Sequence, residues 1–287
     1  EPTKLDLSNL HNLKSIEAGS FWGCFSLKNE DNELMDLILP DNIEYIGASC
    51  FSRDLDTHPY ESKIKRIDMT NSKSLKKIGT RAFYICQNLE TIVDSTRSEE
   101  VVGLPEEIQE IGDNAFSYTK LTGKLIVPKN ITSINDYCFE KCNLTDIDFS
   151  LAKNLKYIGD GAFNRNYSLK SINLEKATSL KQIGTTIKKD YSYVFGGCRS
   201  LTGTLGIPNS VNYINNFTFS AVSDADGPTF NSVNLYWTTS HLSLSKTEDN
   251  SITLNENWYP KLTPDVKVNI VDGTENLYTD LTNFPQE

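Results

Sequence analysis

Eight segments of this chain share one template, and that recurrence constrains the fold more than any other feature. Ile43 to Phe51 (IEYIGASCF), Leu75 to Phe83 (LKKIGTRAF), Ile108 to Phe116 (IQEIGDNAF), Ile131 to Phe139 (ITSINDYCF) and Leu155 to Phe163 (LKYIGDGAF) align without gaps. Leu13 to Phe21 and Val211 to Phe219 fit the same frame, an aliphatic residue, two variable residues, Ile, and Phe five residues later. The copy at Leu180 (LKQIGTT) departs, reaching Phe195 twelve residues after Ile183. The central isoleucines are Ile16, Ile46, Ile78, Ile111, Ile134, Ile158, Ile183 and Ile214, spaced by 30, 32, 33, 23, 24, 25 and 31 residues. The shortest spacing sets the basic unit, and the longer units carry loops such as Arg53 to Ser62 and Asp94 to Gly103.

Ahead of each Ile-Gly element lies an aliphatic-x-aliphatic pair: Leu5/Leu7, Leu37/Leu39, Ile67/Met69, Leu125/Val127, Ile147/Phe149, Ile172/Leu174 and Leu205/Ile207, with Ile92 in the fourth unit. Such alternation predicts a strand with the named residues inward. Equivalent strands in successive coils stack in parallel at about 4.8 Å, which predicts a repeat solenoid with a parallel β-sheet on one face. Pro40, Pro105, Pro128 and Pro208 then turn the chain off the sheet, since proline has no N–H for the ladder. The glycines at 47, 79, 112, 159 and 184 suit a bend with positive φ, and the small-Phe pair after them suits a helical turn that sends its ring into the core.

The recurring IGxxAFxxC and LxxIxxP units resemble the BspA-like leucine-rich repeats of bacterial and some protist surface proteins, over about residues 3 to 220. Val266 to Phe284 resembles the closing element of that family, a strand, an Asp-Gly turn and a short helix capped by Thr274. The resemblance implies a right-handed leucine-rich-repeat superhelix, exported to the cell surface and used for adhesion to host proteins or other cells. The expected division is a solenoid of about eight repeats over 1–220 and a degenerate terminal repeat with a cap over 221–287. Phe230 to Trp237 reads as the degenerate ninth strand, and Trp237, Trp258 and Tyr259 as parts of the cap that must cover the last coil.

Composition narrows the partner. With 28 Lys+Arg against 38 Asp+Glu the net charge is −10, the wrong sign for gripping nucleic acid or an anionic bilayer. No run approaches the ~20 apolar residues of a membrane-spanning helix, and the opening residues lack the basic and apolar regions of a leader, so any signal is expected to have been removed. Cys24, Cys86, Cys142 and Cys198 each lie three residues after the repeat Phe, while Cys50 and Cys138 lie one before it. The first set occupies alternate coils, about 10 Å apart, beyond the ~7 Å that a disulfide tolerates between Cα atoms. Reduced, buried thiols are therefore expected. His11, His58 and His241 form no metal or catalytic spacing, and no phosphate-binding glycine loop is present, so neither an enzyme nor a cofactor is expected.

Recognition then falls to the surface. One outward strand column reads Lys4, Asp36, Arg66, Thr91, Lys124, Asp146, Ser171, Thr204, and the next Asp6, Ile38, Asp68, Val93, Ile126, Asp148, Asn173, Gly206. Outward Ile38, Val93 and Ile126 suggest either a docking face, with Val93 and Ile126 side by side and Arg66, Asp68, Lys124, Asp146, Asp148 and Asn173 around them, or ordinary β propensity or cover from a neighbouring loop. Asp148 and Asn173 are too few oxygens for Ca²⁺. Tyr45, Tyr157 and Tyr213 stand too far apart for one patch. The insertion in the seventh unit, with Lys188, Lys189, Tyr191 and Tyr193, is the competing location. The expected partner is a protein, such as host extracellular matrix or another cell-surface protein, with a cell-surface glycan as the alternative.

Overall fold

The computed structural model describes residues 4–24, 34–52, 62–94, 100–184, 193–211, 213–215, 218–219 and 227–236, together with the backbone strand Lys267–Ile270. Two strand faces run along the solenoid. The first face begins with β1 (Lys4–Asp6), β3 (Met35–Ile38), β5 (Ile64–Asp68) and β7 (Thr91–Val93), and continues in β8 (Val101–Val102), β10 (Thr122–Ile126), β12 (Asn143–Asp148) and β14 (Ser171–Ile172). It ends in β16 (Thr202–Ile207), β18 (Thr229–Leu235) and β19 (Lys267–Ile270), so parallel pairing continues beyond residue 220. The second face consists of two-residue strands at the repeat isoleucines: β2 (Ser15–Ile16), β4 (Tyr45–Ile46), β6 (Lys77–Ile78) and β9 (Glu110–Ile111), then β11 (Ser133–Ile134), β13 (Tyr157–Ile158), β15 (Gln182–Ile183) and β17 (Tyr213–Ile214).

The register follows the inward pattern. Leu5 pairs with Leu37, Leu37 with Ile67 and Ile67 with Ile92, and all but the terminal Leu5 are buried. Between the faces the repeat phenylalanines form a continuous stack, Phe21, Phe51, Phe83, Phe116, Phe139, Phe163, Phe195 and Phe219, with centroids 5.2–5.8 Å apart and rings within 12° of parallel. One ring per coil is what a period-matched core requires, because each coil touches only its neighbours. Phe230 meets Phe219 at 85°, so the stack ends where the template fades.

The backbone around each Phe is not the helical turn that the sequence suggested. Residues two before and two after the ring adopt positive φ, as at Arg81 (57°) and Ile85 (59°) around Phe83, or Asn114 (56°) and Tyr118 (60°) around Phe116. This alternation points three N–H groups of one coil at the next: Arg81, Phe83 and Ile85 donate to the carbonyls of Asp113, Ala115 and Ser117 at 2.8–3.0 Å. The left-handed cost at a non-glycine residue is offset by a hydrogen bond that the corner needs. The one helical element that lies wholly within the described residues is the 3-10 turn Leu174–Lys176.

The Ile-Gly glycines have a different role from the one expected. Of the five, only Gly184 has positive φ (75°). At Gly79 a Cβ would lie 2.6 Å from the Ala48 nitrogen, and the same close approach recurs at Gly47, Gly112 and Gly159. Glycine stands there so that its N–H can reach the previous coil, as Gly79 N–H does to the Ile46 carbonyl at 2.8 Å. Coil five carries Asn135 instead, and the second face breaks between β9 and β11. The Asn135 side-chain amide donates to the Ile111 carbonyl at 3.0 Å, in place of the backbone N–H.

Candidate interaction surfaces

On the first face charged side chains are tied across coils. Arg66 donates to Asp36 of the preceding coil at 3.0 Å and to Asp68 on its own strand at 3.2 Å. Lys124 reaches Asp148 at 2.8 Å, Asn173 donates to Asp148 at 2.8 Å, and Ser171 donates to Asp146. Burial alone would push the Asp148 carboxyl up; hydrogen bonds from Lys124, Ser150 and Asn173 outweigh it and hold the group well below the usual carboxylate range.

The second outward column obeys a local rule. Asp6, Asp68 and Asp148 each accept the backbone N–H two residues on, from Ser8, Thr70 and Ser150, at 2.9–3.0 Å. Such a side chain closes the turn at the strand end. Where proline stands two residues on, at Pro40 and Pro128, no N–H exists to be accepted, and the column carries Ile38 and Ile126. Those isoleucines, both partly buried, therefore have a local explanation as well as a binding one.

The position three residues after each ring is a donor slot. Cys86, Cys142 and Cys198 point their thiols at the carbonyls of Phe51, Phe116 and Phe163, each at 3.3 Å and each in the coil before. Asn166 fills the slot in coil six, donating to the Phe139 carbonyl at 2.8 Å, and Thr119 in coil four donates to Phe116 at 3.0 Å. Burial pushes the thiols of Cys50, Cys86, Cys142 and Cys198 up to about 12, and that of Cys138 upward too. Cys24 is exposed, contrary to the expectation, because no described coil precedes the first one to cover it.

The family profile described as the BspA type leucine rich repeat region matches residues 3–101, 94–220 and 177–258. The chain belongs to the BspA-type leucine-rich-repeat family. No curated protein matches it. Among solved structures it is similar to the leucine-rich-repeat protein of T. pallidum, with 22% identity, 70% of this chain and 78% of that one covered, and a TM-score of 0.40. A leucine-rich-repeat protein of Bacteroides ovatus shares 16% identity over 91% of this chain and 76% of its own (TM-score 0.26). A leucine-rich cell surface protein of Faecalibacterium prausnitzii shares 15% over 80% and 84% (TM-score 0.27).

Within this BspA-type solenoid the expected pairing of Val93 with Ile126 does not form. Val93 is 8% exposed and pairs with Asp68, while β10 pairs with β8, so that Lys124 faces Val101 and Leu125 faces Val102. The loop of the fourth unit returns as a second strand segment wedged between them. Val102-Gly103-Leu104-Pro105 matches Leu125-Ile126-Val127-Pro128, a signal in the sequence that marks it as the true partner of coil five. Arg66, Asp68, Lys124, Asp146, Asp148 and Asn173 do share the first face. Lys188, Lys189 and Tyr191 lie outside the described residues, as do His58 and His241, and Tyr193 occupies the positive-φ position (34°) two before Phe195. His11 contacts Asp41 at 3.2 Å on an exposed edge. Sequence reasoning missed a cluster outside the Phe corner, built from Arg81, Tyr84, Tyr118, Lys141, Arg165, Tyr167 and Arg199. Its signal was available as residue columns counted from the ring. Among the described residues no helix is long and apolar enough to cross a membrane.

Proposed function

We propose that this chain is a non-enzymatic scaffold displayed at a cell surface, which adheres to a protein on a host or another cell, with residues 221–287 supplying the terminal repeat and cap. The observation that carries this reading is the cross-coil locking of the first face, in which Arg66 joins Asp36 to Asp68 and Lys124 and Asn173 converge on Asp148. Side chains already fixed lose little entropy on docking, so a broad face of this kind favours a protein partner. Ile38 and Ile126 supply its apolar points and Arg66, Asp68, Lys124, Asp146, Asp148 and Asn173 its polar frame, with Val93 beneath. Family membership supports the reading, as scaffolding is the use to which repeat solenoids put extended surfaces. The test is binding of the full chain to arrayed extracellular-matrix and cell-surface proteins beside a glycan array. Ile38→Asp with Ile126→Asp should lower capture at least tenfold with the fold intact by circular dichroism. Loss on deleting residues 185–192 instead moves the site to the seventh-coil insertion, and glycan-only capture overturns the protein reading.

A further inference from the structure

The first face and the outside of the Phe corner treat their cations in opposite ways. On the two strand faces Lys4, Lys65, Arg66, Lys76, Lys77 and Lys124 each form an ion pair with a carboxylate. At the corner, Arg81, Lys141 and Arg165 form no ion pair among the described residues. Lys141 and Arg165 lie within electrostatic reach of the Glu140 carboxylate, and three cations of the corner lie over rings. Arg81 lies over Tyr84 at 5.5 Å, Lys141 over Tyr118 at 4.7 Å and Arg199 over Tyr167 at 4.8 Å. Tyr84 meets Tyr118 edge-on at 6.0 Å, and Tyr118 lies within electrostatic reach of Arg165 and Tyr167, which makes the cluster continuous from coil three to coil seven.

The one carboxylate inside the cluster, among the described residues, is already engaged. Glu140 is 8% exposed and accepts from Ser117 at 3.3 Å and from Asn164 at 3.1 Å, and burial raises its carboxyl above the usual range. An acidic column, Asp113, Asp136 and Asp160, stands three residues before Phe116, Phe139 and Phe163, next to the positive-φ positions, and the Arg81 N–H donates to the Asp113 carbonyl at 2.8 Å. Asp136 there accepts the Asp160 N–H at 2.9 Å, and Asp160 is 1% exposed. Among the described residues Arg81, Lys141 and Arg165 thus stand beside one shielded carboxylate, on a chain whose net charge is −10. Aromatic and Arg side chains in combination are also the residues that carry most energy in protein interfaces.

We propose that this corner binds an acidic protein segment in extended conformation, lying along the solenoid axis. The spacing fits that occupant. Coils three to seven span about four sheet spacings, roughly 20 Å, which six or seven extended residues cover at ~3.3 Å each. Alternate residues of such a segment face the same side every ~6.6 Å, so three or four carboxylates can meet Arg81, Lys141, Arg165 and Arg199. This goes beyond the first-face reading and is independent of it.

The test is titration of the full chain with a heptapeptide alternating glutamate and threonine, with the same peptide carrying glutamine for glutamate, and with a sulfated hexasaccharide. The expected result is saturable binding of the glutamate peptide, at least tenfold weaker with the glutamine peptide and with Lys141→Glu plus Arg165→Glu, and unchanged by Arg66→Gln on the first face. Should the double reversal unfold the protein, Arg81→Gln with Arg199→Gln carries the same expectation. Equal binding of the glutamine peptide, insensitivity to both pairs of variants, or loss with Arg66→Gln overturns the proposal. Corner-dependent binding of the saccharide without the peptide assigns the cluster to acidic glycans and overturns it as well. Failure of the first-face variants to affect adhesion leaves this outcome untouched, so the two readings fail separately.

Discussion

The Phe corner runs unbroken through the described coils, whereas both strand faces are interrupted near coils four and five. At the corner, Asn114, Phe116 and Tyr118 donate to Asp136, Cys138 and Glu140 at 2.9 Å, across the same boundary where β9 and β11 fail to pair. The first face is broken one coil earlier by the return segment β8. The corner depends on a ring and on backbone alternation that every copy can supply. The faces depend on uninserted length and on glycine, which single coils lose. Continuity of the solenoid is thus secured by the stack, and the faces are free to diverge.

If the corner is the continuous element, its buried thiols should dominate the alkaline response. Ordinary Cys titrates near 9, but Cys50, Cys86, Cys142 and Cys198 are raised to about 12. Above pH 9 the unfolded chain releases these protons and the folded one holds them, so stability present below pH 9 falls as pH rises toward 12. Each fully buried thiol should cost on the order of 1 kcal/mol at pH 10, several kcal/mol together. Denaturant melts between pH 8 and 10 should show a steeper slope for the wild type than for Cys86→Ala with Cys198→Ala. Equal slopes break the argument.

Next in size is removal of one ring. Phe139 stacks between Phe116 at 5.5 Å and Phe163 at 5.8 Å, and Phe139→Ala should cost about 3–5 kcal/mol in urea unfolding. A loss below ~1 kcal/mol would mean that the faces, not the corner, hold the coils together. A smaller effect belongs to the second face: Gly79→Ala places a Cβ against Ala48 backbone and should cost about 1–3 kcal/mol, with Asn135→Gly near neutral because the glycine N–H can take over the Ile111 carbonyl that the Asn135 amide holds. Comparable losses for both would show that the break at coil five has no structural meaning.

On the first face, Asp148→Ala should cost about 1–2 kcal/mol at pH 7, since it unpairs Lys124, Asn173 and the Ser150 N–H. The Asp148 carboxyl is depressed, so its contribution is present above the unfolded value near 3.8 and is lost as pH falls below it. Melts of wild type and variant should converge in strong acid. A gap that persists there would assign the loss to packing.

The architecture was legible because hydrophobic period, ring position and strand alternation all repeat in phase, and packing between identical coils converts such a period directly into stacked strands. Backbone conformation was less legible. The positive-φ positions two before the ring carry glycine at Gly19 and Gly161 but Ser49, Arg81, Asn114, Tyr137 and Tyr193 in other coils, because coil-to-coil hydrogen bonds impose the conformation from outside the local sequence. Glycine at position 79 invited a bend and in fact permits an approach. Val93 was misplaced because alternation alone does not say which of two segments in a long unit pairs forward. The corner cluster escaped notice because its members occupy different columns, two residues before the ring and one, two and four residues after it, and meet only through side-chain reach.

The smallest effect tests the rule that separates Asp from Ile in the outward column. Asp148 and Asp68 each accept an N–H two residues on, and Ile126 stands where Pro128 offers none. Ile126→Asp alone should destabilise by about 1 kcal/mol, because the new carboxylate faces Asp148 in register and finds no backbone donor. Pro128→Ala alone restores the N–H without an acceptor. Combined, the two changes should recover a coupling of about 0.5–1 kcal/mol, the worth of one turn-closing hydrogen bond. The double-mutant cycle cancels the like-charge repulsion between the new carboxylate and Asp148, which is present with or without the proline. Additivity within ~0.3 kcal/mol would remove the local explanation and leave Ile38 and Ile126 outward for binding alone. A clear coupling would instead place the apolar points of the first face where the turn, rather than a partner, selected them, and would sharpen the contrast with a corner whose Tyr and Arg side chains no backbone rule requires.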